Sequence, residues 1–364
     1  MTKRRFLMLS TCALSLALVG QAVSLKGGGA AAPVPMRLTD QEFWKLSADS
    51  SEPSKPFHSE NLVSNEIRFQ TVVPALAQSA VPGRAYIGVG SEQNFTYIAA
   101  TRPSIAVIID IRRGNLDLHL IYKALFEMSA NRVDFVSRVF SREKPSGLTA
   151  ASTAAEIFTA FQKATPSQEL YSRNLKEIKA ALQTTHGFPL SSGDLQGVDF
   201  VYSAWFRSGP GLRYELTGGG GGNFPTYAEL MTATDASGKN RSYLASEDSF
   251  RIVKDLQVRN LIVPVVGDFG GPKAIRAVAA YLKQKEATVS TFYTSNVEQY
   301  LRQDGIFGNF CASAATLPID AMSVFVRSAR AGFAGQPAVL GANGNFNLEV
   351  KPMKADLAGC STAR

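Results

Sequence analysis

The sequence predicts an α/β fold, a mostly parallel, doubly wound sheet with helical insertions, and three observations carry that prediction. Short apolar runs rich in β-branched residues recur at 84–90 (RAYIGVG), 104–110 (SIAVIID) and 260–268 (NLIVPVVGD). Each precedes a stretch with helical character; in 115–129 the apolar residues Leu116, Leu120, Ile121, Leu125 and Met128 fall at helical spacing. Runs apolar on both faces belong to strands covered from both sides, and strand–helix alternation is the repeating unit of a parallel sheet. The composition is that of a folded chain, 364 residues with 45% hydrophobic and 19% charged, which excludes disordered and collagen-like classes and leaves room for a large core.

The chain opens on an address. Residues 1–24 join a basic start (Lys3, Arg4, Arg5), an apolar stretch of 15 residues at 6–20 and small residues at Gly20, Ala22 and Ser24, the layout of a secretory signal peptide. The apolar stretch falls short of the roughly 20 residues a membrane span needs. The expectation is cleavage near Ala22 or Ser24, no stable membrane anchor afterwards, and a periplasmic or extracellular location. Cleavage removes three positive charges and no acidic one, lowering the net charge from +8 to +5; so small an excess points to no nucleic-acid partner. It also removes Cys12 and leaves Cys311 and Cys360 in a compartment that permits disulfides. Two readings stay open there, a bridge holding the C-terminal tail or two free thiols.

Residues 25–38 (LKGGGAAAPVPMRL) read as a flexible leader, 39–352 as a single domain and 353–364 as a tail. A short helix is expected at 39–46, capped by Thr39 or Asp40, then a polar loop at 47–60. The run 84–90 reads as strand and tight turn, 92–100 as helix, 104–110 as strand and 115–129 as helix. Helices are expected at 151–163 and 168–183, and a strand at 199–206 (DFVYSAWF). The glycine run 218–222 reads as a loop or as a place where backbone meets ligand, since five glycines cannot hold a regular element. Strand 260–268, helix 271–285, strand 288–294 and helix 297–302 follow. Residues 319–327 and 344–350 read as an antiparallel hairpin closing one edge of the sheet.

Three histidines at 58, 119 and 186, and no C-x-x-C pair, leave a metal centre without support. A nucleophile elbow, a P-loop and an H-E-x-x-H motif are all absent from the sequence. Candidate ligand residues gather instead at strand ends. Gly88 and Gly90 end one strand, and Asp110 ends the next, 20 residues after Gly90. Glycines at a first strand–helix turn let a nucleotide approach the backbone, and an acid about 20 residues on can hold ribose hydroxyls. The full dinucleotide fingerprint wants a third glycine where Gln93 stands, which argues against NAD. S-adenosylmethionine carries no phosphate, so polar Glu92, Gln93 and Asn94 suit a turn beneath it. Arg112 and Arg113 keep NADP open, as partners for a 2′-phosphate, beside the alternative of a solvated strand end.

Asp268, in VVGDFGG, ends a later strand and can face a ligand or cap the following helix. Tyr293, Ser295 and Asn296 end the next strand on the same rim. The segment 51–66 (SEPSKPFHSENLVSNE) can fold over that rim as a lid carrying Asn61, Asn65 and Glu66 to the ligand, or be an ordinary loop before a helix starting at Glu66.

The strings SENLVSNE (59–66), YIGVGSEQNFTYI (86–98), VIIDIRR (107–113), PTYAELM (225–231), VPVVGDFGGPKA (263–274) and FYTSNVEQYL (292–301) resemble a family of uncharacterised bacterial proteins. Its members are regarded as having an S-adenosylmethionine-dependent methyltransferase-like, Rossmann-type fold. The resemblance covers roughly 39–320 and implies a Rossmann-like sheet of the methyltransferase type, with Gly88 and Gly90 beneath the cofactor, Asp110 on its ribose and Asp268 near the position of methyl transfer. It names no acceptor. Two functions stay open: an exported methyltransferase-like protein using S-adenosylmethionine and no metal, or a non-catalytic small-ligand-binding or scaffold protein that retains the fold. Export is the difficulty for the first, because S-adenosylmethionine is made and used in the cytoplasm.

Overall fold

The computed structural model describes residues 33–216, 224–330 and 346–360. The expected signal segment 1–24, most of the leader, the glycine run 218–222 and the last four residues lie outside that range.

Helix α1 (Asp40–Ser50) begins at Thr39, whose hydroxyl accepts from the Glu42 amide while the Glu42 carboxylate accepts from the Thr39 amide, a reciprocal capping box. It runs four residues past Leu46, into the segment expected to be loop. After a single 3-10 turn come α2 (Val73–Ser79), β1 (Ala85–Gly88), α3 (Gln93–Thr101), β2 (Ile105–Asp110) and α4 (Arg113–Met128). A helical insertion follows: α5 (Arg132–Phe140), α6 (Ala154–Lys163), α7 (Gln168–Ala180), α8 (Ser192–Ser208), α9 (Tyr227–Thr232) and α10 (Glu247–Val258). The sheet resumes with β3 (Ile262–Val266), α11 (Ala274–Gln284), β4 (Val289–Ser295), α12 (Val297–Gln303), α13 (Phe307–Ala314), β5 (Val324–Arg330), β6 (Phe346–Pro352) and α14 (Met353–Cys360).

The six strands lie in the order β3-β2-β1-β4-β5-β6. The first five are parallel and β6 pairs antiparallel with β5, Val324 opposite Pro352 and Arg330 opposite Phe346. Every residue of β1, β2 and β3 is buried, as strands covered on both faces must be. Right-handed crossovers put α3 and α4 on one face; the order reverses between β1 and β4, so α11 crosses on the other. Pro264 sits in β3, an edge strand, where a missing donor is tolerated. The outer edge of β3 is covered by α1 and its exit: Ser47 Oγ donates to the Pro264 carbonyl at 2.5 Å, Ser51 Oγ accepts from Val266 N at 3.0 Å and Glu52 N donates to the Val266 carbonyl at 2.8 Å.

One expected strand is a helix. Residues 199–206 lie within α8, where Asp194, Val198, Val201, Tyr202 and Trp205 are buried, a spacing of three and four that only a helix turns to one side. Local composition favoured a strand because β-branched and aromatic residues crowd there. Packing against α4 and α5, and a capping box between Ser191 and Asp194, override it. Of the two readings of 51–66, the one with a helix starting at Glu66 is not what forms: a turn and a 3-10 turn follow Glu66, with α2 starting at Val73, and the Glu66 side chain is drawn inward. Residues 353–360, read as tail, form α14, which buries Met353 and is joined to α13 by a disulfide between Cys360 and Cys311.

Candidate functional site

The carboxyl ends of β1, β2, β3 and β4 surround a cavity of about 380 Å³. It lies where the strand order reverses, the position at which open α/β sheets bind ligands. Val89 and Gly90 reach it from β1, Asp110 and Ile111 from β2, Gly267, Asp268 and Phe269 from β3, and Ser295, Asn296 and Val297 from β4. Asn61 and Asn65 also line it, because the segment 51–66 runs across the strand ends: Lys55 N donates to the Ile111 carbonyl at 2.9 Å, and Ser54 Oγ accepts from Arg113 N at 2.9 Å.

The two glycines of the first turn have different roles. Gly90 lines the cavity at φ +80°, in the left-handed region. Its carbonyl accepts from His119 Nε2 at 2.8 Å. Burial drives the His119 pKa down to about 4, so the ring is neutral and its one proton lies on that nitrogen. Gly88 does not line the cavity; a Cβ there would overlap Asn94 Oδ1. Asn94 is itself buried, accepting from Tyr86 Oη at 2.8 Å and donating to the Val89 and Ser91 carbonyls at 2.9 and 2.7 Å. Glu92 points away from the cavity, accepting from Ser64 N at 3.3 Å, and its burial pushes its pKa up to about 7. Gly88, Glu92 and Asn94, expected to contact a ligand, thus build the turn beneath it.

Asp110 is 5% exposed. Its Oδ1 accepts from Arg112 N at 3.0 Å and lies 3.3 Å from Arg112 Nε; no donor among the described residues reaches its other oxygen. Arg112 also donates to the Glu60 carbonyl, and Arg113 holds Asp194 through two bonds of 2.7 and 3.0 Å. Asp268 pairs with Lys55 at 2.7 Å and accepts from Gly270 N at 2.8 Å. It does not cap α11. Glu52 does, its Oε1 accepting from Lys273 N and Ala274 N, both at 2.7 Å. Asp110, Asp268 and Asp304 line the cavity, the first two ion-paired with Arg112 and Lys55, and no Lys or Arg is among its described lining residues, so the lining offers a phosphate no cation of its own.

Glu66 is fully buried behind the β4 end. Its Oε2 accepts from Tyr293 Oη at 2.6 Å and its Oε1 from Ser295 Oγ at 2.7 Å. Tyr293 Oη accepts from Gln93 Nε2 at 3.0 Å, and Gln93 Oε1 accepts from Ser91 Oγ at 3.1 Å. Desolvation raises the Glu66 pKa, opposed by its hydroxyl donors. Glu66 and Tyr293 are therefore behind the wall, while Ser295, Asn296 and Gln93 are on it. Among the described residues no group of three or more potential metal ligands comes together.

Residues 61–358 match the family described as a domain of unknown function (DUF7790). The chain belongs to that family. No curated protein matches it. In this DUF7790 chain the match takes in every strand of the sheet and all of the cavity wall except Pro56, Phe57 and His58.

Sequence reasoning missed the aromatic part of that wall. Phe57, His58, Tyr214, Phe269 and Tyr300 all line the cavity. The Phe57 and His58 ring centroids lie 4.0 Å apart, and Tyr300 meets Phe57 edge-on at 5.6 Å. The His58 pKa is lowered by burial, which keeps the ring neutral near pH 7. The signal for Tyr300 is its spacing of four from Asn296 at the start of α12; Tyr214 carries none, since it comes from a loop without periodicity.

Proposed function

We propose that the DUF7790 chain binds a nucleoside at the carboxyl rim of its sheet and is an S-adenosylmethionine-dependent methyltransferase-like protein of Rossmann type. The single observation that carries this reading is that Gly90 and Asp110, on adjacent strands, line one cavity at the strand-order reversal. Gly90 offers backbone without a side chain, and Asp110 keeps one oxygen for ribose hydroxyls. The walls, with Asp304 and aromatic rings and no Lys or Arg of their own, suit a cationic sulfonium. They do not suit a pyrophosphate, and the arginines that would hold a 2′-phosphate are engaged elsewhere, Arg112 with Asp110 and the Glu60 carbonyl and Arg113 with Asp194; this weighs against NADP. When bound, S-adenosylmethionine supplies an activated methyl group. The chain's own residues orient it: Asp110 at the ribose, Asn61 and Asn65 over the rim, and Asp268 at the far wall. We further propose export, on the basic-then-apolar pattern of residues 1–24.

Calorimetry of the purified protein against S-adenosylmethionine, S-adenosylhomocysteine and NADP tests the reading. Binding of the first two, weakened at least tenfold by Asp110→Ala, is expected, with none for NADP. Absence of both adenosyl ligands from the site at millimolar concentration sinks the nucleoside reading and leaves a scaffold or other small-ligand role. Sequencing the N-terminus of protein expressed in a bacterial host tests export, with a start near residue 23 expected and Met1 against it.

A further inference from the structure

With Glu66 ionised, the hydrogen bonds behind the cavity wall run in one sense. Ser91 donates to Gln93, Gln93 to Tyr293, Tyr293 to Glu66, and Ser295 to Glu66 from the other side. Both carboxylate oxygens are thereby used as acceptors, and Glu66 is only 1% exposed. If Ser295 turned its proton toward the cavity, a buried carboxylate oxygen would lose its donor, at a cost of the kind that buried charge makes large. Ser295 therefore meets the cavity with lone pairs, as an acceptor. Its backbone is held at φ +51°, an uncommon conformation for a serine and one that the strand-to-helix turn enforces.

Next to it the wall is aromatic. Asn296 follows Ser295, and one helical turn on, Tyr300 places its Oη 3.5 Å from His58 Nε2 and packs with His58 at 5.5 Å and Phe57 at 5.6 Å between ring centroids. Flat rings at these separations accept another ring by edge-to-face or offset contact. No Lys or Arg belongs to the same described lining, and its Asp304 carries no ion pair among the described residues, so it offers an anionic ring such as a benzoate no partner.

We propose that this part of the cavity takes a neutral phenol, its ring against Phe57, His58 and Tyr300 and its hydroxyl donating to Ser295. The inference names the acceptor class for the site proposed above and rests on that site being a ligand cavity. It does not depend on which nucleoside binds. A phenol satisfies what the wall offers: a ring for the aromatic face, and one donor for an oxygen whose own proton is already committed. Its methyl ether has the same ring and no donor.

The test is a ligand-observed NMR titration of the disulfide-intact protein with p-cresol and with its ether, 4-methylanisole. Cresol is expected to bind about tenfold more tightly than the ether, the worth of one hydrogen bond in a partly desolvated site. Ser295→Ala is expected to remove that preference by weakening cresol alone. Ser295→Gly, which also relieves the positive φ, gives the same readout should the alanine variant fold poorly. Tyr300→Leu is expected to weaken both probes together. Equal binding of cresol and ether to the wild type, binding of neither, or a preference that survives both Ser295 variants overturns the proposal. Titration with S-adenosylhomocysteine is scored separately: its failure with the cresol preference intact removes the nucleoside reading alone, and the reverse removes only the phenol.

Discussion

Gly88 and Gly90 belong to one motif, yet the structure sets different physical demands at each. At Gly88 the backbone is ordinary, and the constraint is packing: a Cβ would overlap Asn94 Oδ1 and sit 2.8 Å from Tyr86 Cε1, in a place where Asn94 is fixed by three hydrogen bonds. At Gly90 there is room, the nearest atom to a Cβ being Asn61 Nδ2 at 3.3 Å, and the constraint is φ +80°. Gly88→Ala is expected to lower unfolding free energy by roughly 1–3 kcal/mol, as overpacking does, and Gly90→Ala by roughly 1–2 kcal/mol for the left-handed backbone. Only the second should also change the cavity. Urea unfolding of both variants checks the energies, and a wild-type midpoint for Gly88→Ala would contradict the packing argument. Legibility follows the same division. Gly90, Asp110, Asp268 and Asn296 were readable because a strand that ends on a glycine, acid or amide declares its rim. That Glu92 and Asn94 turn inward was not readable, since a polar side chain in a turn gives no sign of which way it points.

Among elements, the strands were the most legible because burial on both faces forces near-continuous apolar runs. The insertion was the least: α5, α9 and α10 are short or amphipathic, and α8 took strand-like composition into a helix under the pull of its neighbours. The C-terminal element is held by a different force. α14 buries Met353, packs Leu357 on the core and pairs Asp356 with Arg327 but exposes much of its surface, so the Cys311–Cys360 bridge, which closes a sequence separation of 49 residues, adds a large share of its attachment. In the chain-entropy account a loop of that size is worth about 4 kcal/mol. Cys360→Ser is therefore expected to lower the melting temperature and to raise amide exchange in 353–360 well above that in β5. The wall behind the cavity is one layer further in, through the Phe310–Phe269 stack with centroids 5.8 Å apart. Unchanged melting and exchange would show that packing alone holds α14. Mass measurement after alkylation, with and without reductant, reports the bridge itself.

At the scale of the whole molecule the buried titratable groups set how stability depends on pH, and their signs can be worked through. Asp40, Glu127, Asp134 and Asp194 have pKa values lowered by their partners, so they stabilise above their unfolded values and lose that contribution as pH falls below about 4. Burial brings His119 down to about 4; the native state then binds fewer protons than the unfolded state, and stability grows with pH up to about 6.5, where the gain is complete. Glu92 and Asp117 run the other way. Desolvation pushes both up to about 7, with Asp194 adding to the shift at Asp117, and stability declines as pH rises toward that value. His186, bonded to Asp40 at 2.6 Å and Glu127 at 2.7 Å, has a raised pKa despite its burial; its contribution is present below about 6.5 and is lost as pH climbs through the folded value. Gains and losses oppose one another between pH 4 and 6.5, and only losses remain above. Because two acids lose stability across that interval and only one histidine gains it, the urea midpoint is expected to be highest near about pH 4.5 and to fall from there toward pH 8. Glu92 lies fully buried with its Oε2 lacking any partner among the described residues, and should account for about 1 kcal/mol of the fall above pH 6. Glu92→Gln keeps an acceptor for Ser64 N and removes the titration, so its midpoint is expected to decline less steeply between pH 6 and 8. A slope identical to the wild type would show that Glu92 is not a source of the alkaline loss.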